Sequence, residues 1–212
     1  MVKLKKFSFN SFQVSSFVLY DQSGACIIID PGCNSQSEQQ ELSGFISGNQ
    51  LKPEAIVNTH GHIDHLLGVE FCRQTWNIPF LIHKDDLPLV RTAPAYAGVF
   101  GLEMAVAPVP EDYLVDGQIF GFGNSEVKIL HVPGHSPGSI ALYAGEGNFV
   151  ITGDALFAGS IGRTDLPGGD TDTLLRAIRD KLLTLPADTI AWPGHGPSTT
   201  IGIEQVENPY LQ

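Results

Sequence analysis

Seven side chains of this 212-residue chain have the chemistry of metal ligands: His60, His62, Asp64, His65, His135, Asp154 and His195. Four of them fall within six residues, in the run His60-Gly61-His62-Ile63-Asp64-His65. Imidazole and carboxylate suit zinc, iron and manganese. A catalytic zinc takes three protein ligands and keeps a position open for water, so four donors in one run exceed the needs of a single open ion. Adding His135, Asp154 and His195 makes a set that suits two ions with one shared ligand. A carboxylate bridges two ions readily and an imidazole normally does not, which assigns the bridge to Asp154. The expected cofactor is a pair of divalent ions, zinc first, with iron or manganese as alternatives. A lone His or Asp beside glycine is more often a turn or capping residue. The clustering in the run turns the reading to chemistry, because packing gives no reason to concentrate such side chains there.

The settings of these residues are alike. A short apolar run ends and a Gly- or Pro-rich turn follows: Ile56-Val57-Asn58-Thr59-His60, Val132-Pro133-Gly134-His135, Ile151-Thr152-Gly153-Asp154 and Trp192-Pro193-Gly194-His195. Ligands at strand ends can converge on one rim of a sheet, and a neighbouring glycine lets backbone approach a metal closely. Upstream, Lys3 to Phe9, Val14 to Tyr20 and Ala25 to Ile29 read as strands, with Asp30-Pro31-Gly32 as the turn that ends the third. Ser35 to Ile46 reads as a helix with a Ser35/Glu38 capping box, closed by Gly48. Ala55 to Asn58 and Phe80 to His83 read as buried strands, and Leu66 to Trp76 as a helix. Residues 84–116 carry Pro88, Pro94, Pro108 and Pro110 and weak periodicity, and read as a helical hairpin or a lid-like insertion. Val127 to Val132, Ser139 to Tyr143, Asn148 to Thr152 and Thr189 to Trp192 are further strands. Thr171 to Leu185, capped by Asp170, is the clearest helix, and Ile201 to Asn208 a final short one. Strands followed by helix, in two halves, imply two sheets face to face with helices outside, an αβ/βα sandwich.

Composition narrows the partners. The length suits one well-cored domain, residues 1–212. A formal net charge of −11 makes nucleic acid an unsuitable partner. No apolar stretch has the length of a membrane helix. Lys3, Lys5 and Lys6 precede residues too polar for a signal peptide, so the cytoplasm is the expected location. Cys26, Cys33 and Cys72 form no CxxC pair and indicate neither a disulfide framework nor a thiolate metal site. Cys26 reads as a core residue.

The His-x-His-x-Asp-His run, Pro133-Gly134-His135, Gly153-Asp154 and Pro193-Gly194-His195 together resemble the metallo-β-lactamase fold superfamily, with all its ligand positions filled in order. The stretch Gly159-Ser160-Ile161-Gly162-Arg163-Thr164-Asp165 and the ending Thr200 to Glu204 are similar to its short glyoxalase II-like branch. The resemblance implies an α+β, four-layer αβ/βα sandwich of two mixed β-sheets. It assigns His60, His62 and His135 to a first ion, Asp64, His65 and His195 to a second, and Asp154 to both. It implies a thioester hydrolase acting on small S-2-hydroxyacylglutathione-type substrates through a metal-bridging hydroxide, with Asp64 also orienting the nucleophile.

Departures matter too. True metallo-β-lactamases carry a cysteine where Asp154 stands, which argues against β-lactam hydrolysis. His62 stands where flavodiiron enzymes have Glu. A chain ending at Gln212 has no room for the C-terminal glutathione-binding helical domain of standard glyoxalase II. The alternatives are a mononuclear iron persulfide dioxygenase of the same fold, using His60, His135 and Asp154, and a lactonase. Asp30 is placed either to hold a ligand imidazole or as a plain turn residue, and Thr59 as a turn residue. Arg163 and Asp165 are expected to pair and brace the loop after Asp154. His83 and His131 read as satisfied strand histidines, and Tyr96 and Phe157 as pocket-lining candidates for which core packing is the safer reading.

Overall fold

The computed structural model describes all residues from Met1 to Gln212. Its first half is a six-stranded sheet ordered β1 (Lys3–Phe9), β2 (Val14–Tyr20), β3 (Ala25–Ile29), β4 (Lys52–Val57), β5 (Phe80–His83) and β6 (Asp112–Leu114). The first pairs are antiparallel, and β3 to β6 run parallel. Its helices are α1 (Gln36–Gly48), the short α2 (Ile63–Leu66), α3 (Val69–Trp76) and α4 (Leu87–Tyr96). The second half is a mixed sheet built from β7 (Ile119–Phe122), β8 (Ser125–His131), β9 (Ile140–Ala144), β10 (Phe149–Gly153), β13 (Ile190–Pro193) and β14 (Thr199–Thr200). A small hairpin of β11 (Leu156–Phe157) and β12 (Ser160–Ile161) follows β10, and α5 (Thr171–Ala177) and α6 (Ile201–Glu207) complete the chain.

Side-chain alternation makes the four layers. In β2 and β3, Phe17, Leu19, Ile27 and Ile29 face the second sheet, where they meet Val127, Ile129, Leu142 and Ile151. Between them Val18 and Ile28 face outward onto Leu42 and Ile46 of α1 and Val69 of α3. The second sheet does the same: Leu130, Ala141 and Val150 turn outward onto Leu174, Ile178 and Leu182. Strands covered on both faces read as unbroken apolar runs, as β3 does. This is the αβ/βα sandwich of two mixed sheets that the sequence implies.

Local differences have physical causes. Helix α1 has the expected capping box at Ser35, but it runs through Gly48 and ends at Asn49, whose side-chain amide donates to the Phe45 carbonyl at 2.8 Å. The helix read from Leu66 begins at Val69, after the separate turn of α2. Residues 84–116 hold one α-helix, α4, flanked by the 3₁₀ turns Lys84–Asp86 and Ala97–Phe100, and not a hairpin. Pro88 is tolerated in its first turn, whereas Pro108 and Pro110 deny the chain a second helix. The helix expected from Thr171 to Leu185 is α-helical only to Ala177 and continues as a π-helical turn, Ile178–Leu182. No helix is long and apolar enough to cross a membrane.

Asp21 ties the two halves together at the end away from the strand C-termini of the first sheet. Its carboxylate accepts the Ser23 N–H and hydroxyl at 2.8 and 2.5 Å, and the Asn124 N–H and Ser125 hydroxyl at 2.7 and 3.0 Å. The Ser23 hydroxyl foremost, with the Asn124 and Ser23 N–H groups, lowers its pKa from 3.8 to about 2 against the opposing effect of burial. A depressed carboxylate contributes stability that is present above its unfolded pKa and lost as pH falls through its folded one. The stability advantage of the native protein over Asp21→Asn is therefore expected to be constant near neutrality and to shrink between about pH 4 and pH 2. Thermal unfolding of both proteins across that range measures it; a difference independent of pH would contradict the assignment.

Candidate metal centre

The strand directions decide where the polar residues go. In the first sheet β3, β4 and β5 are parallel, and just beyond their carboxyl ends lie Asp30, His60 and Asp86. In the second sheet β8 and β10 are each antiparallel to β9, and β13 is parallel to β10, so these three also share a direction. Beyond their carboxyl ends lie His135, Asp154 and His195. The two sets meet at one mouth of the sandwich, and α2 adds Asp64 and His65 while its N-cap is His62.

All seven candidate ligands come together there. His60, His62 and His135 form one group with donor atoms within 4.8 Å of one another, and Asp64, His65 and His195 form another. In the first, His62 Nδ1 lies 2.9 Å from His135 Nε2. In the second, Asp64 Oδ2 lies 3.7 Å from His65 Nε2 and 3.4 Å from His195 Nε2. Asp154 faces both: its Oδ2 is 3.7 Å from His135 Nε2 and 3.5 Å from His195 Nε2, and its Oδ1 is 3.7 Å from His65 Nε2.

The donors fit metal ions. His60 Nε2, His65 Nε2 and Asp154 Oδ1 are buried and have no hydrogen-bond partner. Buried polar atoms are almost always satisfied, so such a cluster marks a place for a cation. Burial, then the neighbouring imidazoles of His65 and His62, hold His60 well below its ordinary pKa, and burial and His135 lower His62 to about 3. Both are therefore neutral, the state that ligates. Burial would lower His65 as well, but Asp64, Asp30 and Asp154 outweigh it and push it up to about 10. A field that holds a proton this firmly suits a metal ion equally.

The opposite ring nitrogens of His60, His65, His135 and His195 are held by backbone and side chains, which fixes those four rings. His135 Nδ1–H donates to the Arg163 carbonyl at 2.8 Å, and His195 Nδ1–H to the Phe12 carbonyl at 2.9 Å. His65 Nδ1 lies 3.1 Å from Asp30 Oδ2. Thr59 gives its N–H and hydroxyl to Asp30 at 2.7 and 2.6 Å, and its Oγ1 lies 3.1 Å from His60 Nδ1. Asp30 is thus the imidazole holder, and Thr59 joins it rather than serving as a mere turn residue. The β1–β2 turn reaches across as well: Asn10 Nδ2 donates to the Asp64 carbonyl at 3.0 Å.

Sequence reasoning missed Asp86. It occupies the N-cap position of α4 without capping it. Fully buried, its carboxylate instead accepts the Gly61 N–H at 2.7 Å, the Gly138 N–H at 2.6 Å and the Ser136 hydroxyl at 2.7 Å. It joins the histidine run to the loop of His135. Burial raises its pKa despite those bonds. Its only sequence signal is a carboxylate following strand β5. Glu204 likewise went unread as a brace: it accepts the Gly159 N–H at 3.0 Å and the Thr199 hydroxyl at 2.6 Å, tying down the loop after Asp154.

Two of the glycines allow a close approach, though to a side chain and a helix. A Cβ at Gly194 would collide with Asp154 Oδ1, so this glycine makes room for a ligand carboxylate. Gly134, at φ +131°, lies against Leu174 of α5 and admits helix packing. Arg163 and Asp165 do pair, in two hydrogen bonds of 2.8 and 2.7 Å at the surface. His83 and His131 stack on each other with centroids 4.2 Å apart.

A cleft of about 760 Å³ opens onto the donors. Asp64, His62, His135, Asp154 and His195 form its floor, and α4 and Phe12 form a wall. Tyr96 lines it and is 53% exposed, so it is not a packing residue; Phe157 does not line it.

Comparison with known proteins agrees with this geometry. The model of the metallo-beta-lactamase superfamily matches residues 10–195, and the chain belongs to that superfamily. Hydroxyacylglutathione hydrolase GloC of Haemophilus influenzae is 37% identical over 203 residues, 95% of this chain and 94% of its own. Among solved structures, the B3 metallo-beta-lactamase BLEG-1 superposes with a TM-score of 0.90 at 36% identity, covering 99% of this chain and 100% of its own. The structure of TTHA1623 in a di-iron-bound form superposes with a TM-score of 0.87 at 37% identity, covering 98% and 100%. The chain is thus a member of a metallo-hydrolase superfamily, with histidine and aspartate clusters that can hold metal.

Residues that orient a metal ligand matter nearly as much as the ligand. Asp30→Asn is expected to lower metal affinity by about 10- to 100-fold while the fold persists. Competition with a chromogenic chelator, alongside circular dichroism, measures it; unchanged affinity would refute the role of Asp30.

Proposed function

We propose that the protein is a dinuclear metal-dependent hydrolase of small thioesters. The observation that carries this reading is Asp154, whose two carboxylate oxygens face both donor groups at 3.5 to 3.7 Å. In it, His60, His62 and His135 would hold one ion, Asp64, His65 and His195 would hold the other, and Asp154 would be shared between them. Imidazole and carboxylate suit zinc, iron and manganese alike; zinc is the first expectation, and the di-iron form of TTHA1623 supports iron.

When bound, such a pair of ions acidifies a water toward neutrality and polarises a carbonyl oxygen. The chain's residues do the rest. Asp64, partly open to the cleft, is the carboxylate that orients the attacking water. The fastened imidazoles hold the donors in place without rearrangement. The cleft wall of α4 limits bulk water around the bound ester. Water oxygen adds to the acyl carbon, the C–S bond breaks, and the thiolate leaves with a proton from that water, giving a carboxylic acid and a thiol.

Similarity to hydroxyacylglutathione hydrolase GloC supports a thioester over other acyl substrates. The alternative of a single iron held by His60, His135 and Asp154 leaves His62 unused, although its Nδ1 is 2.9 Å from His135 Nε2. Similarity to BLEG-1 makes β-lactams the second substrate class to assay.

The metal-loaded protein is expected to hydrolyse thioesters, S-lactoylglutathione among them, with little action on lactones or β-lactams and no oxygen uptake on glutathione persulfide. Loaded protein that turns over no thioester would overturn the reading. Asp64→Asn is expected to lower kcat about 100-fold or more with a smaller change in KM; a change confined to KM would reassign Asp64 to binding.

A further inference from the structure

The chemistry of the cleft beyond the donors constrains the substrate. Its α4 wall presents Pro88, Leu89, Ala93 and Tyr96, joined by Phe12 and Phe100. Phe12 and Phe100 meet edge to face, with centroids 6.2 Å apart. Phe12, Tyr96 and Phe100 are 40, 53 and 44% exposed, far more than aromatic side chains that serve the core. Opposite, Leu166 and Pro167 continue the apolar surface.

Beyond the donors, the cleft walls offer little positive charge. Besides Asp64 and Asp154, the lining includes the carboxylate of Asp85. Arg163 is the one Lys or Arg among the lining residues. Its guanidinium is already taken by Asp165 through Nε and Nη2, at 2.8 and 2.7 Å. Glutathione carries two carboxylates and an ammonium, and its carboxylates would find no unpaired cation along these walls. Burying a charge without a partner is costly, whereas apolar groups gain free energy against such a surface.

We propose that the cleft selects thioesters whose thiol portion is uncharged and apolar, in preference to peptide thiols such as glutathione, and that Tyr96 and Phe100 determine this selectivity. The inference rests on the thioester-hydrolase reading and narrows it. Both aromatic residues are on the surface, so replacing them does not open the core.

The test is a series of lactoyl thioesters with one acyl group and different thiols: ethanethiol, butanethiol, hexanethiol and glutathione. At fixed metal loading, kcat/KM is expected to rise about three- to fourfold per added methylene until the cleft is filled. The hexyl ester is expected to exceed S-lactoylglutathione. Tyr96→Ser combined with Phe100→Ser is expected to flatten the alkyl slope to below about twofold per methylene, because the wall loses its two most exposed aromatic surfaces and keeps Phe12. S-lactoylglutathione matching or exceeding the hexyl ester, or an alkyl slope that survives both substitutions, overturns the inference and leaves the thioester-hydrolase reading standing. Turnover of none of the four esters overturns that reading itself.

Discussion

Seven polar side chains must be held close together where water is largely excluded, and the rest of the structure is arranged around that requirement. Left to themselves the donors would turn toward whatever partners they could find. The protein prevents this from behind. Asp30, fully buried, accepts from Thr59 and lies 3.1 Å from His65 Nδ1. Asp86 accepts three hydrogen bonds that join the loops of His60 and His135. The carbonyls of Phe12 and Arg163 fix His195 and His135. What remains unpaired points inward, at His60 Nε2, His65 Nε2 and Asp154 Oδ1.

Such a cluster is possible because the fold brings together two sets of strand ends. Each sheet contributes three strands running the same way, and the residues just beyond them are the candidate ligands or the groups that hold them. Neither sheet has enough donors alone. The covalent neighbourhood of His60 to His65 supplies four, and the other three come from the second sheet. The start of β2, just after the β1–β2 turn, reaches the second half, with the Ser15 N–H on the Gly194 carbonyl at 2.6 Å, and so couples the packing of the halves to the site. The apolar contact between sheets, with Phe17 and Ile29 against Ile129 and Ile151, sets the spacing that lets them meet.

Much of this was legible in the sequence. Strands β2, β3 and β5 are largely apolar runs and β1 mixes lysines with apolar residues, and the limits of all four match the expectation. The donors were legible because four fell in one run and the others followed Gly after an apolar run. What escaped was short or non-local. Strands β6, β11, β12 and β14 have only two or three residues, too few for a period. In α4, Pro88 and Pro94 hide a real helix. Asp86 sits beside exposed Asp85 and resembles it, and its burial depends on Ser136 and Gly138, some fifty residues further on. Gly194 was recognised as a close-approach residue, but only the structure assigns the neighbour, the Asp154 carboxylate.

The central claim is that these donors make a paired site with Asp154 between its halves. Metal content per chain, measured on protein expressed and purified without added metal or chelator, tests it most directly when set beside Asp154→Asn. The account predicts about two divalent ions per native chain, and about one or fewer in the variant, because a shared carboxylate is lost from both positions. One ion per chain in the native protein, unchanged by the substitution, would contradict it.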